Sequence, residues 1–440
     1  MVLASTAASQ VVFNQIVDNG LPESRLNLVV LGDGYTQAEM NDFNADVASM
    51  LSQFWITSPI HVYRTYFNAY TIFTPSNESG SDHPASGNYR DTYFSSSYDC
   101  YGIQRLICIP PHDWDGDPEH GEMLVADLLE TYIPEYDIVI MLVNDPQYGG
   151  SGGWLAIASM HSQSREVTYH EFGHSFGNLA DEYEDETPGY SGYEAPNATA
   201  ETVRELIRWN DWIAPATPVP TPETDDYGGA VGLFEGAVYE HHDWYRPKLG
   251  CRMRSISVGF CQVCVEQVIR SEYNLLTPID SVYPPNPELE LVAGDSIWLH
   301  VTPMRPYLGE LDIEWRINDS PVGQAESLLV SNAILPPGNS VIEVVVSDQT
   351  PFVRTDLDGL LVESFEWTAG QALCGDVNSN GLGPDIVDLI YLVMYMFQDG
   401  PPPQDFDQCD VNSSGGGPDI TDLIALVEFM FQDGAPLNCP

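Results

Sequence analysis

Positive charge is what this chain has least of. Lys248 is its one lysine, and 15 Lys and Arg stand against 65 Asp and Glu, a formal charge of -50. Such a surface repels nucleic acid and anionic membranes, so neither is expected as a partner. The acid is spread along the chain rather than gathered in one tail, which suits solubility in salty water as well as cation binding. Long apolar runs are missing too. No stretch of about 18 apolar residues occurs, so no helical membrane span is expected. Met1 to Gln10 is too short and too polar for a whole signal peptide, and a removed leader is expected. What is present is an ordinary apolar fraction of 43% over 440 residues, enough for real cores and for two to four domains.

Eight cysteines fall into three groups: Cys100 and Cys108; Cys251, Cys261 and Cys264; Cys374, Cys409 and Cys439. Close local spacing predicts disulfides and an extracellular setting. A second metal site around Cys261 and Cys264 is the alternative. It needs four ligands, and only three cysteines are nearby, so disulfides are expected. The two odd-numbered groups each leave one cysteine free or are bridged to each other.

The most informative segment is His170-Glu171-Phe172-Gly173-His174. On a helix, residues four apart face the same way, so both imidazoles reach one metal ion. Glu171 lies beside them, where it can take a proton from a metal-bound water, the zinc-peptidase arrangement. Ser162, Ser164 and Glu166 are start signals for that helix. Gly177 is expected to take a left-handed conformation, end the helix and turn the chain. The turn would swing a third ligand back. Asp181 is the candidate and Glu182 the reserve, since zinc accepts carboxylate oxygen and keeps a fourth position for water. Tyr239, Tyr183 and Tyr245 are candidate donors to a developing oxyanion, with Tyr239 placed first.

Strands are expected at residues 26–31, 66–73 and 137–143, and helices at 36–56 and 122–131. The first helix opens with a capping box of Thr36 and Glu39. Strands alternating with helices predict a mixed, largely parallel sheet. The glycines of 149–153 precede a short strand at 155–159, read either as a sheet edge that takes an extended peptide or as an internal strand. Residues 185–230 read as a long loop with a short helix near Glu201–Trp209. After a proline-rich linker at 284–287, residues 288–368 alternate apolar and polar in short runs, which predicts a small β-sandwich around Trp315.

The last part of the chain holds a repeat. Asp376 to Pro402 aligns with Asp410 to Pro436 at an offset of 34, with 20 of 27 positions identical. Oxygen side chains at loop positions 1, 3 and 5 and a closing carboxylate match a calcium loop followed by its helix. In the first copy they are Asp376, Asn378, Asn380 and Asp388; in the second, Asp410, Asn412, Ser414 and Asp422. Each loop is one residue longer than the usual dozen. Two polar turns capping two helices is the plainer reading.

Two resemblances follow. Leu31-Gly32-Asp33-Gly34-Tyr35, Gly153-Trp154, the histidine segment, Ala180-Asp181-Glu182-Tyr183, Gly232 to Ala237 and Cys251 to Ser255 resemble the IgA peptidase family of secreted bacterial zinc metallopeptidases. That resemblance spans about residues 20–370. It implies a metzincin-like α/β catalytic domain with His170 and His174 on Zn2+ and Glu171 as catalytic base. In the metzincin pattern the third ligand lies six residues past the second histidine; here that position is Ala180, and Asp181 follows it. Met253 stands where the pattern has a methionine turn beneath the metal. Residues 374–436 resemble a type I dockerin, which implies Ca2+ loops and a cohesin-like or cell-surface partner.

The sequence therefore predicts a multidomain chain. Residues 1–283 form the zinc peptidase domain, 284–370 an Ig-like β-sandwich, and 371–440 a small α-helical pair of calcium loops. The expected activity is hydrolysis of peptide bonds in extracellular proteins, in a secreted or surface-associated bacterial enzyme. A degenerate zinc-binding scaffold serving adhesion is the alternative, favoured by Ala180 and opposed by the intact Glu171.

Overall fold

The computed structural model describes residues 11–110, 121–184, 192–291, 296–331, 334–336, 339–371, 373–380, 383–432 and 434–439. Met1 to Gln10 and part of the 185–230 loop thus lie outside the described residues. The chain divides into two compact units. The first takes the chain up to Thr277 with Arg305–Glu310 and Thr350–Leu360. The second takes Pro278–Met304, Leu311–Gln349 and the chain from Leu361 on.

In the first unit, in chain order, are β1 (Val12–Val17), β2 (Leu26–Asp33), α1 (Met40–Phe54), α2 (Ile60–Tyr63), β3 (Phe67–Phe73), α3 (Glu122–Tyr132), β4 (Ile138–Val143), β5 (Gly150–Ser151), β6 (Ala156–Ser159), α4 (Ser164–Ser175), β7 (Phe234–Ala237), β8 (Glu240–Arg246) and α5 (Gln262–Tyr273). The main sheet has the order β1-β3-β2-β4-β6-β5. The four central strands are parallel, and β1 and β5 run antiparallel at the edges. β2, β3 and β4 are buried along their whole length, as expected for strands covered on both faces. On one face Val29, Leu31, Ile72, Val139 and Met141 pack against Val125 and Leu129 of α3. Side chains alternate along a strand, so Leu28, Val30, Ile140 and Leu142 turn to the other face. There α1 meets α4, with the Phe54 and Phe172 rings 5.1 Å apart edge to face.

Local chemistry explains the entries to these elements. Thr36 and Glu39 make the expected capping box, but over a 3-10 turn (Gln37–Glu39) that leads into α1. Just before it, Asp33 is buried and accepts bonds from Thr92 Oγ1, Phe94 N and Ser96 N, at 2.9–3.0 Å. Gly34 beside it has φ +72, and a β-carbon there would lie 1.9 Å from the Gly80 carbonyl oxygen. Strand β6 is internal by one short strand, since the two-residue β5 forms the edge beside it. The short helix expected near Glu201–Trp209 is a single 3-10 turn, Arg204–Leu206, and a second, Asn210–Trp212, follows it. Ile207 and Trp209 are both buried, and a spacing of two does not suit one helix face.

The second unit carries β9 (Ile279–Tyr283), β10 (Glu288–Leu291), β11 (Ser296–Pro303), β12 (Leu311–Ile317), β13 (Ser320–Gly323), β14 (Ser327–Ser331), β15 (Asn339–Asp348), β16 (Val362–Gln371), α6 (Ile386–Phe397) and α7 (Ile420–Phe431). A five-stranded sheet, β10-β16-β15-β12-β13, and a three-stranded sheet, β14-β11-β9, share one apolar core. Along β12 every second residue is buried, and Trp315 stacks on Trp367 at 5.6 Å. α6 and α7 enclose a smaller core of Val377, Leu392, Val411 and Leu426, two pairs related by the repeat.

Candidate active site

α4 carries the histidine segment, and Val167 to Gly173 are all buried. The Nε2 atoms of His170 and His174 lie 3.2 Å apart. Each Nδ1 is held by a backbone carbonyl: His170 by Arg252 O at 3.0 Å, His174 by Leu179 O at 2.7 Å. A carbonyl only accepts, so Nδ1 carries the proton and each Nε2 turns a lone pair inward.

The chain leaves the helix differently from expectation. Gly177 is not the left-handed residue; Asn178 is, with φ +50. Asparagine tolerates that conformation better than most residues. Gly177 is needed for another reason: a β-carbon there would lie 2.8 Å from the Gly173 carbonyl oxygen. Leu179 N then bonds back to Gly173 O at 3.1 Å, which brings the Leu179 carbonyl onto His174.

Past Leu179, successive side chains point to opposite sides. Ala180 goes into a small-residue cluster with Ala195, Ala198, Ala237 and Val238. Asp181 turns to the histidines, with Oδ1 3.1 Å from His170 Nε2 and 3.3 Å from His174 Nε2. Glu182 turns away, toward Cys251, Cys261 and Cys264. The two nitrogens and Oδ1 thus form a nearly equilateral triangle. A tetrahedral zinc with bonds of about 2.0–2.1 Å needs ligand atoms about 3.3 Å apart. Asp181 Oδ1 is buried and faces the two inward Nε2 atoms, an arrangement that needs a proton or a cation among the three. These residues fit a divalent cation. In the metal-free chain Asp181 holds both imidazoles above their ordinary range against burial, and its own carboxyl is held down by them, also against burial.

The other oxygen of Asp181 is held by two phenols. Tyr183 Oη donates to Oδ2 at 2.9 Å, and Tyr239 Oη donates to the same atom. Tyr239 sits at the tip of the β7–β8 hairpin, where Val238 and Tyr239 have φ +48 and +68. Those are values of a primed turn usually made by Asn-Gly. A β-branched residue there is strained. The tip bonds to the segment that carries Asp181: Val238 N to Asp181 O at 2.9 Å and Tyr239 N to Tyr183 O at 3.0 Å. Tyr245 is elsewhere, packed in a core with Leu233 and Cys251. Burial and Asp181 raise both Tyr183 and Tyr239, so they stay protonated donors.

Glu171 is buried beside the histidines, and burial pushes its carboxyl up against their pull. The glycine turn lies directly on it. A β-carbon on Gly152 would be 3.0 Å from Glu171 Oε2, and one on Gly150 3.3 Å from Oε1. A cleft of about 330 Å³ opens here, lined by His170, Glu171, Tyr148, Tyr183, Arg105 and Arg252 among others. Met253 is fully buried in the turn Cys251–Arg254, and its carbonyl accepts Glu182 N at 2.8 Å.

The disulfide expectation is corrected in part. Cys100–Cys108 and Cys374–Cys439 are bridged. Cys251, Cys261, Cys264 and Cys409 are free. Glu182, the reserve candidate for the histidine site, lies instead beside the three thiols and offers a fourth ligand-type atom that a cysteine count does not find.

In the repeat, the carboxylates of each loop bond to the loop's own backbone. Asp376 Oδ1 accepts Asn380 N at 3.0 Å and Asp388 Oδ1 accepts Asn378 N at 3.1 Å. Asp410 Oδ1 accepts Ser414 N at 2.8 Å and Asp422 Oδ1 accepts Asn412 N at 3.3 Å. Asp388 and Asp422 also complete capping boxes with Asp385 and Asp419.

The family model IgA Peptidase M64 matches residues 15–228 and 223–271, a span that carries the sheet, the histidine helix, the tyrosine hairpin and α5. No curated protein matches the chain. With more than half its length matched, the chain belongs to the IgA Peptidase M64 family of metallopeptidases.

Proposed function

We propose that the chain is a secreted zinc endopeptidase that hydrolyses peptide bonds of extracellular proteins, with His170, His174 and Asp181 as the zinc ligands. The observation that carries this reading is the triangle of their three ligand atoms beside a buried Glu171 in an open cleft. Zinc held there supplies Lewis acidity to a carbonyl and lowers the pKa of water. Glu171 takes the proton of the attacking water and passes it to the leaving amine; a raised carboxyl is suited to both halves of that transfer. Tyr239 is our candidate donor to the oxyanion: its hydroxyl lies beside Asp181 and would trade its bond to Oδ2 for one to the oxyanion. Gly150 and Gly152 let the glycine turn lie directly on Glu171, where a side chain would collide with Val167 or His174.

Digestion of a proteome-derived peptide library, read by mass spectrometry, tests this directly. New cleavage sites should appear with the native chain and not with Glu171→Gln. The same sites in both samples, or none in a zinc-loaded native sample, would sink the reading.

The remaining parts are proposed as accessories. Residues 284–370 serve as an Ig-like spacer and 371–440 as a dockerin-like docking module with two Ca2+ loops, leaving 1–283 as the peptidase domain. Support for docking comes from apolar residues left exposed in both helices at repeat-related positions: Ile386 and Ile420, Ile390 and Ile424, Phe397 and Phe431. A cohesin-like or cell-surface protein is the proposed partner.

A further inference from the structure

Three cysteines and one glutamate that the proposed peptidase chemistry does not use are packed together behind the histidine site. Glu182, Cys251 and Cys264 are fully buried, and Cys261 nearly so. One ligand atom from each lies within 4.8 Å of every other. The Sγ atoms of Cys251 and Cys264 are 3.5 Å apart, those of Cys261 and Cys264 3.6 Å, and Cys264 Sγ is 3.5 Å from Glu182 Oε1. Tetrahedral zinc with Zn–S near 2.3 Å and Zn–O near 2.0 Å sets ligand atoms about 3.5–3.8 Å apart. We propose that Cys251, Cys261, Cys264 and Glu182 form a second, structural site for a borderline-soft divalent cation, zinc first among them.

Four observations favour a cation over a packed set of thiols. Glu182 Oε2 is buried with no hydrogen-bond partner, and its other oxygen has Asn197 Nδ2 at 2.9 Å. A carboxyl so enclosed is costly unless something positive faces it. The Cys251 sulfur accepts a backbone N–H, from Cys261 at 3.3 Å, the kind of outer contact that steadies a thiolate ligand. Cys261 immediately precedes α5 and Cys264 lies in its first turn, three residues on, so one helix end presents both sulfurs to the same side. The thiols also remain unpaired in a chain that forms disulfides at two other places. Three thiolates and a carboxylate leave a closed four-ligand shell, the mark of a structural rather than a catalytic zinc site.

The position of the site gives it a task. It ties the ligand segment at Glu182, the turn Cys251–Arg254 and the start of α5 to one point. Asp181 is the neighbour of Glu182. Arg252 O holds the His170 ring, and Met253 O holds Glu182 N. A cation here fixes the supports of the histidine site without touching it, so the four residues are positioning residues.

The proposal is independent of whether the chain cleaves peptides, and its test does not read activity. The full chain, purified without chelator, should hold about two zinc ions, and His170→Ala/His174→Ala should retain about one. Reconstituted with cobalt, both proteins should show thiolate-to-cobalt charge-transfer absorption, which nitrogen and oxygen ligands do not give. Cys261→Ser/Cys264→Ser should lose that absorption, and Glu182→Gln should weaken metal retention by about 10-fold or more. A histidine-pair variant that is folded by circular dichroism yet metal-free would overturn the proposal. So would a disulfide among Cys251, Cys261 and Cys264 in non-reducing peptide maps of the native protein.

Discussion

Gly173 and Met253 are fitted to each other: a β-carbon on Gly173 would lie 2.8 Å from the Met253 sulfur and 3.0 Å from the Phe260 ring. The fourth residue of the histidine segment is glycine because the methionine turn closes onto the helix there. Gly173→Ala should therefore cost about 1–3 kcal/mol through overpacking, despite alanine's better helix propensity. Trimming the sulfur side with Met253→Ala should recover part of that cost, so the double variant should be more stable than the sum of the two losses. Thermal unfolding of the four proteins measures the coupling; strict additivity would count against the contact.

Much of this site was legible in the sequence, and what was not has physical causes. His170 and His174 are four apart on one helix, so a local rule places them. The side-chain alternation that turns Asp181 inward and Glu182 away needs only an extended segment, yet its phase depends on where the turn ends. Glycine is the usual left-handed residue, so sequence points to Gly177 for that turn, whereas Asn178 takes the conformation and Gly177 answers a close approach. The hairpin tip was not readable at all. Val238-Tyr239 violates the turn preferences, and its backbone bonds to Asp181 and Tyr183 help hold it there. Backbone carbonyls that orient the imidazoles, Arg252 and Leu179, leave no sequence signal. The parallel sheet was plain from runs such as Ile138–Val143, whose residues are all buried.

Glu171→Gln keeps the shape of the site and removes the base. Metal content should be unchanged, since Glu171 is not among the three converging ligand atoms. The rate should fall by about 10²–10⁴-fold, the usual range for one general acid–base group. Steady-state kinetics beside metal analysis decides it, and unchanged turnover would remove Glu171 from the mechanism.

The two phenols on Asp181 should separate in their effects. Tyr239 stands on a strained hairpin tip and is assigned to the oxyanion, so Tyr239→Phe should lower kcat by about 10²–10³-fold with KM little changed. Tyr183 belongs to the ligand segment itself and steadies Asp181, so Tyr183→Phe should weaken zinc retention by about 10–100-fold. Tyr245→Phe should change neither, because that ring packs in another core. Competition with a chromogenic chelator and kcat measurements on the three variants read out both quantities.

Removal of zinc should make stability sensitive to alkaline pH. In the metal-free chain burial opposes the charged imidazole of His174, but Asp181 outweighs it and holds the group up at about 9. Its unfolded value is about 6.5. Stability from this protonation is complete below the unfolded value and lost as pH rises through the folded one. The melting temperature of the chelated protein should fall from neutral pH toward pH 9. Zinc takes the place of the proton, so the loaded protein should stay flat over that range. Paired melting curves at the two ends of the window check it, and a parallel fall in both forms would dissociate the effect from this site.

The repeat makes a stoichiometric prediction. Burial pushes Asp388 and Asp422 up, and the facing Asp376 and Asp410 add to it, so each loop holds two carboxylates that repel. A calcium ion would reverse that repulsion. Calorimetric titration of the zinc-loaded full chain should find about two calcium ions bound per chain. Asp388→Asn should leave one, because the second loop has its own Asp410 and Asp422. Asparagine still accepts at the helix start, so loss of the ion would not be loss of the cap. Asp388→Asn/Asp422→Asn should bind none with helix content retained. Two ions still bound in the double variant would return both loops to simple helix caps, since those carboxylates would then serve only the capping boxes with Asp385 and Asp419.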